Sequence, residues 1–369
     1  MGTLLFAGTG YLVVFHSLAN LSLDQPLLAG VVARFWQQPH LLWSLFAGAG
    51  FAASLRAIGT RFGPGRTRLV APVAAIVIVC AQGALNYREQ DQSANTTVRD
   101  FTRTMLDPMP PGSLFLALGD LESNASRYLQ QCEGYRADIR ILPRTLLAYA
   151  WYLPVVRRHY PDIVLPPGPY YRHLASRKSG FTLASLIEGN VSRMPVFLST
   201  VGTYEERSAD AYHMLAYGIA VRVYPKDASF DLDNYLGASA TAAETCRRAR
   251  PHAPPDPRSW EAYVAEKIAD AEPQRGALVL DFALEQPGER RAFDAAVLIL
   301  ERAVERDPVT KPHEVFFNLG LAYNHLTKWD PQAAAKMVHW WERYLKGMQG
   351  NEPGLDEIRT ILAQVRSPR

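Results

Sequence analysis

Three uncharged stretches, Met1 to Leu23, Phe35 to Leu55 and Leu69 to Tyr87, fill most of the first quarter of this 369-residue chain and leave it few ways to fold. Nineteen residues in a helix rise about 28 Å, close to the thickness of a bilayer's hydrocarbon. Inside hydrocarbon every backbone amide must be paired within its own segment, so such runs form helices. The pattern predicts spans over about Leu4–Leu18, Leu41–Ile58 and Leu69–Leu85, with Arg56 snorkelling at the end of the second. Gly48 with Ala52, and Gly50 with Ser54, have the small-xxx-small spacing that lets helices approach closely. Buried helices of a soluble protein are the alternative.

Charge divides the chain at the same place. Residues 1–87 hold Asp24 and five arginines, so of the chain's 39 basic and 36 acidic residues the rest carries 34 and 35. The positive balance therefore belongs to the membrane quarter, and the composition gives no footprint for nucleic-acid binding. Four arginines and no acid lie in Arg56–Arg68 (RAIGTRFGPGRTR), whereas residues 19–40, read as a loop, hold one arginine and one aspartate. The positive-inside rule puts Arg56–Arg68 in the cytoplasm and everything after Tyr87 on the opposite, lumenal side. Asn95, Asn124 and Asn190 begin glycosylation sequons, which have meaning only in the secretory lumen. Cys132 and Cys246 would face an oxidising compartment, where they are either a disulfide or two separate buried thiols.

The expected architecture is a three-helix membrane region (1–87), a lumenal α/β domain (88–250) and a C-terminal α-helical tetratricopeptide-like repeat domain (251–369). In the second region Ser113–Leu118 reads as a buried strand, Asn124–Cys132 as helix and Asp138–Leu142 as strand. A helix from Thr145 to about Tyr160, bent or ended near Pro154, follows. Phe181–Glu188 reads as helix, Val196–Ser199 as strand, and Leu215–Tyr224 as one longer strand; such alternation argues for a layered α/β domain. The proline-rich Arg250–Arg258 marks the next boundary. Beyond it Phe293, Val297, Leu300 and Val304 define a buried helix face, and Phe316, Leu319, Gly320 and Tyr323 follow the spacing of a tetratricopeptide repeat with Phe in place of Trp.

No P-loop, HExxH, CxxC or GxSxG occurs, and the nine histidines show no metal-ligand spacing, so no metal site is expected. His16 is the one histidine within an expected span. Arg34 and Trp36 suit the membrane interface, where an arginine either anchors the chain or clamps a lipid-linked phosphate. Gly119-Asp120 ends a strand, where α/β sheets place ligand crevices, and Glu133, Arg136 and Asp138 are near enough in sequence to join it in a polar pocket. Helix capping by Asp120 and a structural Glu133–Arg136 ion pair are the alternatives.

Residues 10–39 (GYLVVFHSLANLSLDQPLLAGVVARFWQQP), Gly119-Asp120, Arg127-Tyr128-Leu129, Cys132–Ile139 (CEGYRADI) and Trp151-Tyr152-Leu153-Pro154 resemble the transmembrane protein 260 family. The resemblance implies a multi-pass protein O-mannosyltransferase of the endoplasmic reticulum membrane. Its donor substrate is dolichyl phosphate mannose, with no cofactor, and its acceptors are immunoglobulin-like, plexin, transcription-factor (IPT) domains of plexins and receptor kinases. The partners so implied are membrane lipids, the dolichyl-linked donor and IPT glycoproteins, and no nucleic acid. The resemblance assigns the catalytic carboxylate to a first lumenal loop that this chain does not match; Asp24, its only acid before Glu89, is not assigned as the base. The expectation is thus a C-terminal portion of such a transferase. A non-catalytic, membrane-anchored adaptor using its helical repeats to bind glycoproteins is the competing reading.

Overall fold

The computed structural model describes residues 2–19, 21–171, 179–199, 211–226, 230–249, 255–306, 313–348 and 355–366. Among them the chain is mostly helical, with one small mixed sheet. It forms two compact units, Met1–Thr97 with Ala253–Val264, and Val98–His252 with Ala265–Arg369.

The first unit contains α1 (Gly2–Ala19), α2 (Pro26–Ala33), a 3₁₀ turn (Arg34–Trp36), α3 (Gln37–Phe62) and α4 (Pro64–Gln90). Two helical stretches, Pro26–Arg61 and Val70–Arg88, are long and apolar enough to cross a bilayer, while the apolar stretch of α1, Phe6–Ala19, is shorter. The segment expected as a loop is therefore largely helix. Pro26 occupies the first turn of α2, where its missing N–H costs nothing, and the apolar run up to Arg34 is broken only by Gly30, which the helix tolerates. Gly63, at φ +91, makes the sharp break before Pro64 starts α4. Gly48 and Gly50 meet open space instead of a neighbouring helix; the close approach is at Gly8, where a β-carbon would lie 3.0 Å from Leu42 Cδ1 across α1 and α3. Hydroxyls here bond back to the carbonyl four residues earlier, Ser17 to Val13 and Ser54 to Gly50, which satisfies them without a partner helix.

The second unit opens with α5 (Thr97–Leu106), β1 (Leu114–Ala117), α6 (Asp120–Glu133), β2 (Arg140–Pro143), α7 (Arg144–Leu147), α8 (Tyr152–His159) and α9 (Leu183–Glu188). It continues with β3 (Val196–Leu198), β4 (Tyr212–Tyr217), β5 (Ala220–Pro225), α10 (Leu232–Arg248) and α11 (Trp260–Glu285). The strand order is β2-β1-β3-β5-β4, parallel across β2, β1 and β3 and antiparallel across β3, β5 and β4. β1 is the middle parallel strand, buried on both faces, which is why its sequence is continuously apolar. Leu114 and Leu116 pack with Leu147, Leu153 and Ile187 on one face, and Phe115 and Ala117 with Met105, Leu106 and Ala242 on the other.

Two expectations need correction here. Leu215–Tyr224 is a hairpin, not one strand: Gly218, at φ +69, starts a two-residue turn between Tyr217 and Ala220. The helix expected over 145–160 is two helices interrupted at residues 148–151, and Pro154 lies in the first turn of α8, where no helical N–H partner is lost.

The C-terminal helices are α12 (Arg290–Arg306), α13 (His313–Leu326), α14 (Ala333–Gly347) and α15 (Leu355–Arg366), each packed on the next. Leu215 of β4 and Tyr235 of α10 share a core with Phe293, Leu319 and Trp341, so sheet and helices close one compact unit. Tyr323 donates to Glu301 at 2.6 Å and accepts from Lys336 at 2.9 Å, which ties α12, α13 and α14 together.

Candidate functional site

The carboxyl edge of the parallel strands is built by register. Ala117 pairs with Pro143 and Leu116 with Leu198, so Leu118 lies between Arg144 at the end of β2 and Ser199 at the end of β3. Ser199 Oγ accepts from the Leu118 N–H at 2.8 Å and donates to the Leu118 carbonyl, which closes the edge there. Gly119 at φ +103 turns the chain into α6, where exposed Asp120 and buried Glu122 complement the helix dipole. The hydroxyls of Ser123 and Ser126 are buried without hydrogen-bond partners. Buried Arg144 donates from one nitrogen to the Tyr171 hydroxyl at 2.8 Å, while its Nε and other terminal nitrogen have no partner.

Glu133, Arg136 and Asp138 do not join Asp120 in one pocket. They form two ties between the α6–β2 connection and α5. Glu133 accepts from Arg99 at 2.8 Å and Arg103 at 3.0 Å, so the expected Glu133–Arg136 pair is replaced by contacts to the preceding helix. The Arg99 guanidinium, more than Arg103, holds the Glu133 carboxyl below its ordinary range. Arg136, the one described non-glycine residue with positive φ (+47), donates to the carbonyls of Leu106 at 2.6 Å and Met109 at 2.8 Å. It therefore brackets the chain just past α5, where the Leu106 carbonyl also accepts from the Met109 N–H at 3.2 Å. It also forms a fork with Asp138, whose carboxyl it holds down at about 2. These groups are spent on one another and on backbone, so they fasten the fold.

In the first unit Arg34 is exposed in the 3₁₀ turn, and Trp36 contacts His40 and Trp43 at ring-centroid distances of 6.4 and 6.5 Å. Phe35 meets Phe15 of α1 edge-on at 4.8 Å. His16 falls on α1, but its side chain lies outside the described residues.

Cys132 is exposed and Cys246 buried, both as free thiols, so the disulfide reading gives way to separate thiols, only one of them buried. Burial pushes the Cys246 thiol up to about 12. The sequons also separate. Asn124 is exposed; Asn95 is exposed but donates to Gln92 and Glu261. Asn190 is fully buried, with its amide bonded to both backbone groups of Val164 and to the Leu186 carbonyl, so in the folded chain it is a bracket between segments instead of a sugar acceptor.

Two features escaped the sequence reading. One is a cleft of about 370 Å³ between α6 and α8, lined by Arg127, Gln131, Tyr152, Val155 and His159 among others. The other is His213, buried on β4, 3.3 Å from Glu285, which also binds Lys226 at 2.9 Å. Burial lowers the His213 imidazole's affinity for a proton, more than neighbouring Glu285 raises it. Among the described residues no group of histidines, cysteines and carboxylates has the arrangement of a metal site.

The model of TMEM260-associated domain 2 matches residues 98–163, the segment that carries α5, β1, α6, β2 and the cleft. The protein O-mannosyl-transferase tmem260 of Dictyostelium discoideum is 26% identical over 344 residues, 88% of this chain and 41% of that protein. The mouse protein O-mannosyl-transferase TMEM260 is 28% identical over 267 residues, 71% of this chain and 37% of that protein. This chain thus spans about two fifths of the length of these curated relatives. No solved structure matches it. By these matches the chain is similar to proteins of the transmembrane protein 260 family.

Proposed function

We propose that this chain serves a protein O-mannosyltransferase of the endoplasmic reticulum membrane, with the residues after α4 in the lumen. The observation that carries this reading is the likeness to two proteins named as O-mannosyl-transferases, which extends over 88% and 71% of the chain. The two membrane-length helical stretches are what a transferase using a lipid-linked donor needs.

The donor in this reading is dolichyl phosphate mannose and the acceptors are Ser or Thr hydroxyls of IPT domains. Breaking the bond from mannose to phosphate leaves charge on the lipid phosphate, and a fixed cation beside it lowers the barrier. Arg34, exposed and flanked by Phe35 and Trp36, has the planar fork that pairs with phosphate oxygens. A carboxylate near the acceptor hydroxyl must take its proton, and no residue described here is given that role. The packed helices α12 to α15 are the repeat-like surface on which an acceptor domain would rest.

The test is disruption of the gene for this chain, followed by mass spectrometry of O-linked mannose on IPT domains secreted by the same cells. Loss of mannose, restored by re-expression, is expected; unchanged occupancy overturns the proposal. In the re-expressed protein, Arg34→Ala should raise the KM for dolichyl phosphate mannose about tenfold, the scale of one charged hydrogen bond. An unchanged KM removes Arg34 from the donor site.

A further inference from the structure

The cleft between α6 and α8 adjoins aromatic rings that stay largely exposed. Tyr149 and Trp151 are 53% and 61% exposed, although rings of this size ordinarily gain most by burial. Tyr149 and Trp151 lie 6.2 Å apart, and Trp151 meets Tyr152 edge-on at 5.6 Å. Tyr152 is buried in the cleft lining, and Trp151 adjoins the cleft through it. A contiguous exposed aromatic surface beside a concavity marks a place where something binds.

The polar groups there narrow the ligand. Arg127, Gln131 and His159 line the cleft, are exposed, and make no hydrogen bond among the described residues. They offer a guanidinium, an amide and an imidazole, planar groups that suit the vicinal hydroxyls of a sugar. A pyranose has the matching two-sided character: hydroxyls around its edge, and a face of C–H bonds that rests on the electron-rich face of an aromatic ring. The cleft's volume of about 370 Å³ is at the small end of ligand sites and suits one or two rings, not an extended polymer.

We infer that the α6–α8 cleft, with Trp151 as its platform and Arg127, Gln131 and His159 as its polar rim, binds a protein-linked hexose. The preference for mannose rests on the O-mannosyltransferase reading; the saccharide chemistry rests on the cleft. The site thus holds the mannosylated Ser/Thr segment, product or already modified neighbour.

The experiment uses the full chain in nanodiscs of neutral phospholipid, titrated with a threonine peptide carrying one α-mannose and with the same peptide unmodified. Binding is read by saturation-transfer NMR and calorimetry. The glycopeptide should bind at least tenfold more tightly than the bare peptide, and Trp151→Ala and Arg127→Ala should each abolish that difference. Trp151 and Arg127 are exposed, so both variants should keep the parent's circular dichroism and melting temperature. Equal affinity for the two peptides, or a preference that survives Trp151→Ala, overturns the inference. So does a finding that Trp151→Ala alters only adhesion to anionic vesicles, which would make the rings a membrane contact. Failure here with mannose still lost on gene disruption spares the transferase reading; sugar binding with O-mannose unchanged rejects that reading alone.

Discussion

Trp341 lays its indole against Gly320, in the space that any side chain at that position would need. Its Nε1–H reaches the Phe317 carbonyl, one turn earlier on α13, at 3.2 Å. The spacing of Phe316, Leu319, Gly320 and Tyr323 thus has a local cause: the glycine lets α14 bring a tryptophan onto the backbone of α13.

Gly320→Ala should therefore destabilise the chain. In an open helix this change gains up to about 1 kcal/mol, but here the added methyl collides with a buried ring, and overpacking of that kind costs about 1–3 kcal/mol. Urea unfolding measures the sign. A lower midpoint is expected, with the loss largely recovered when Trp341 is replaced by Leu in the same chain. A raised midpoint for Gly320→Ala alone would mean that the two helices separate easily.

Arg136 carries a different kind of close fit. Its guanidinium serves the carbonyls of Leu106 and Met109 and the carboxylate of Asp138 at once, from a backbone at φ +47. Lysine keeps the charge but lacks the planar fork, so Arg136→Lys should cost about 2 kcal/mol, the scale of hydrogen bonds involving charged groups. Thermal melts of the two proteins at neutral pH compare them directly. Equal melting temperatures would show that one point charge suffices at the end of α5.

What the sequence made legible follows from how local each cause is. The run SLFLAL announced β1 because a strand buried on both faces has no polar positions to confuse the pattern. The hairpin at Gly218 was hidden by apolar residues on both sides of the turn, although the glycine itself was the signal. Residues 19–40 read as a loop because they join two longer apolar runs, yet Pro26 stands where it opens a helix and Gly30 is tolerated within it. Side-chain partnership was least legible. Glu133 and Arg136 are three apart, but α6 ends at Glu133 and Gly134 turns left-handed, which sends the two side chains to different partners on and beyond α5. The cleft pairs Arg127 with His159, and no local spacing encodes a meeting of two helices that a strand separates.

The buried imidazole of His213 makes stability depend on mild acid. Burial depresses its pKa in the folded chain, so the unfolded chain takes up a proton first as the pH falls through about 6.5. The unfolded state then binds more protons, and folding stability drops below that pH while remaining full above it. Urea midpoints at pH 7.5 and 5.5 should differ in that direction, and His213→Gln should shrink the difference. A midpoint that rises at pH 5.5 would mean that Glu285, 3.3 Å away, governs the imidazole instead of burial.

The sequons offer a test of sidedness that uses the fold itself. Asn124 is exposed on α6, whereas Asn190 is fully buried and its amide is hydrogen-bonded to Val164 and Leu186. A glycan needs the amide nitrogen and open space beyond it, so the folded chain has room for one at Asn124 and none at Asn190. Expressed in a secretory system, the protein should carry an endoglycosidase-sensitive glycan at Asn124, so that Asn124→Gln lowers its apparent mass by one glycan. Asn190→Ala should leave gel mobility unchanged but cost about 2–3 kcal/mol, since it strands buried backbone groups of Val164 and Leu186. Absence of any glycan at Asn124, together with digestion of the residues after α4 by protease added to sealed microsomes, would put that region in the cytosol. The arginines of Arg56–Arg68 would then face the lumen, against the charge rule from which the orientation was drawn.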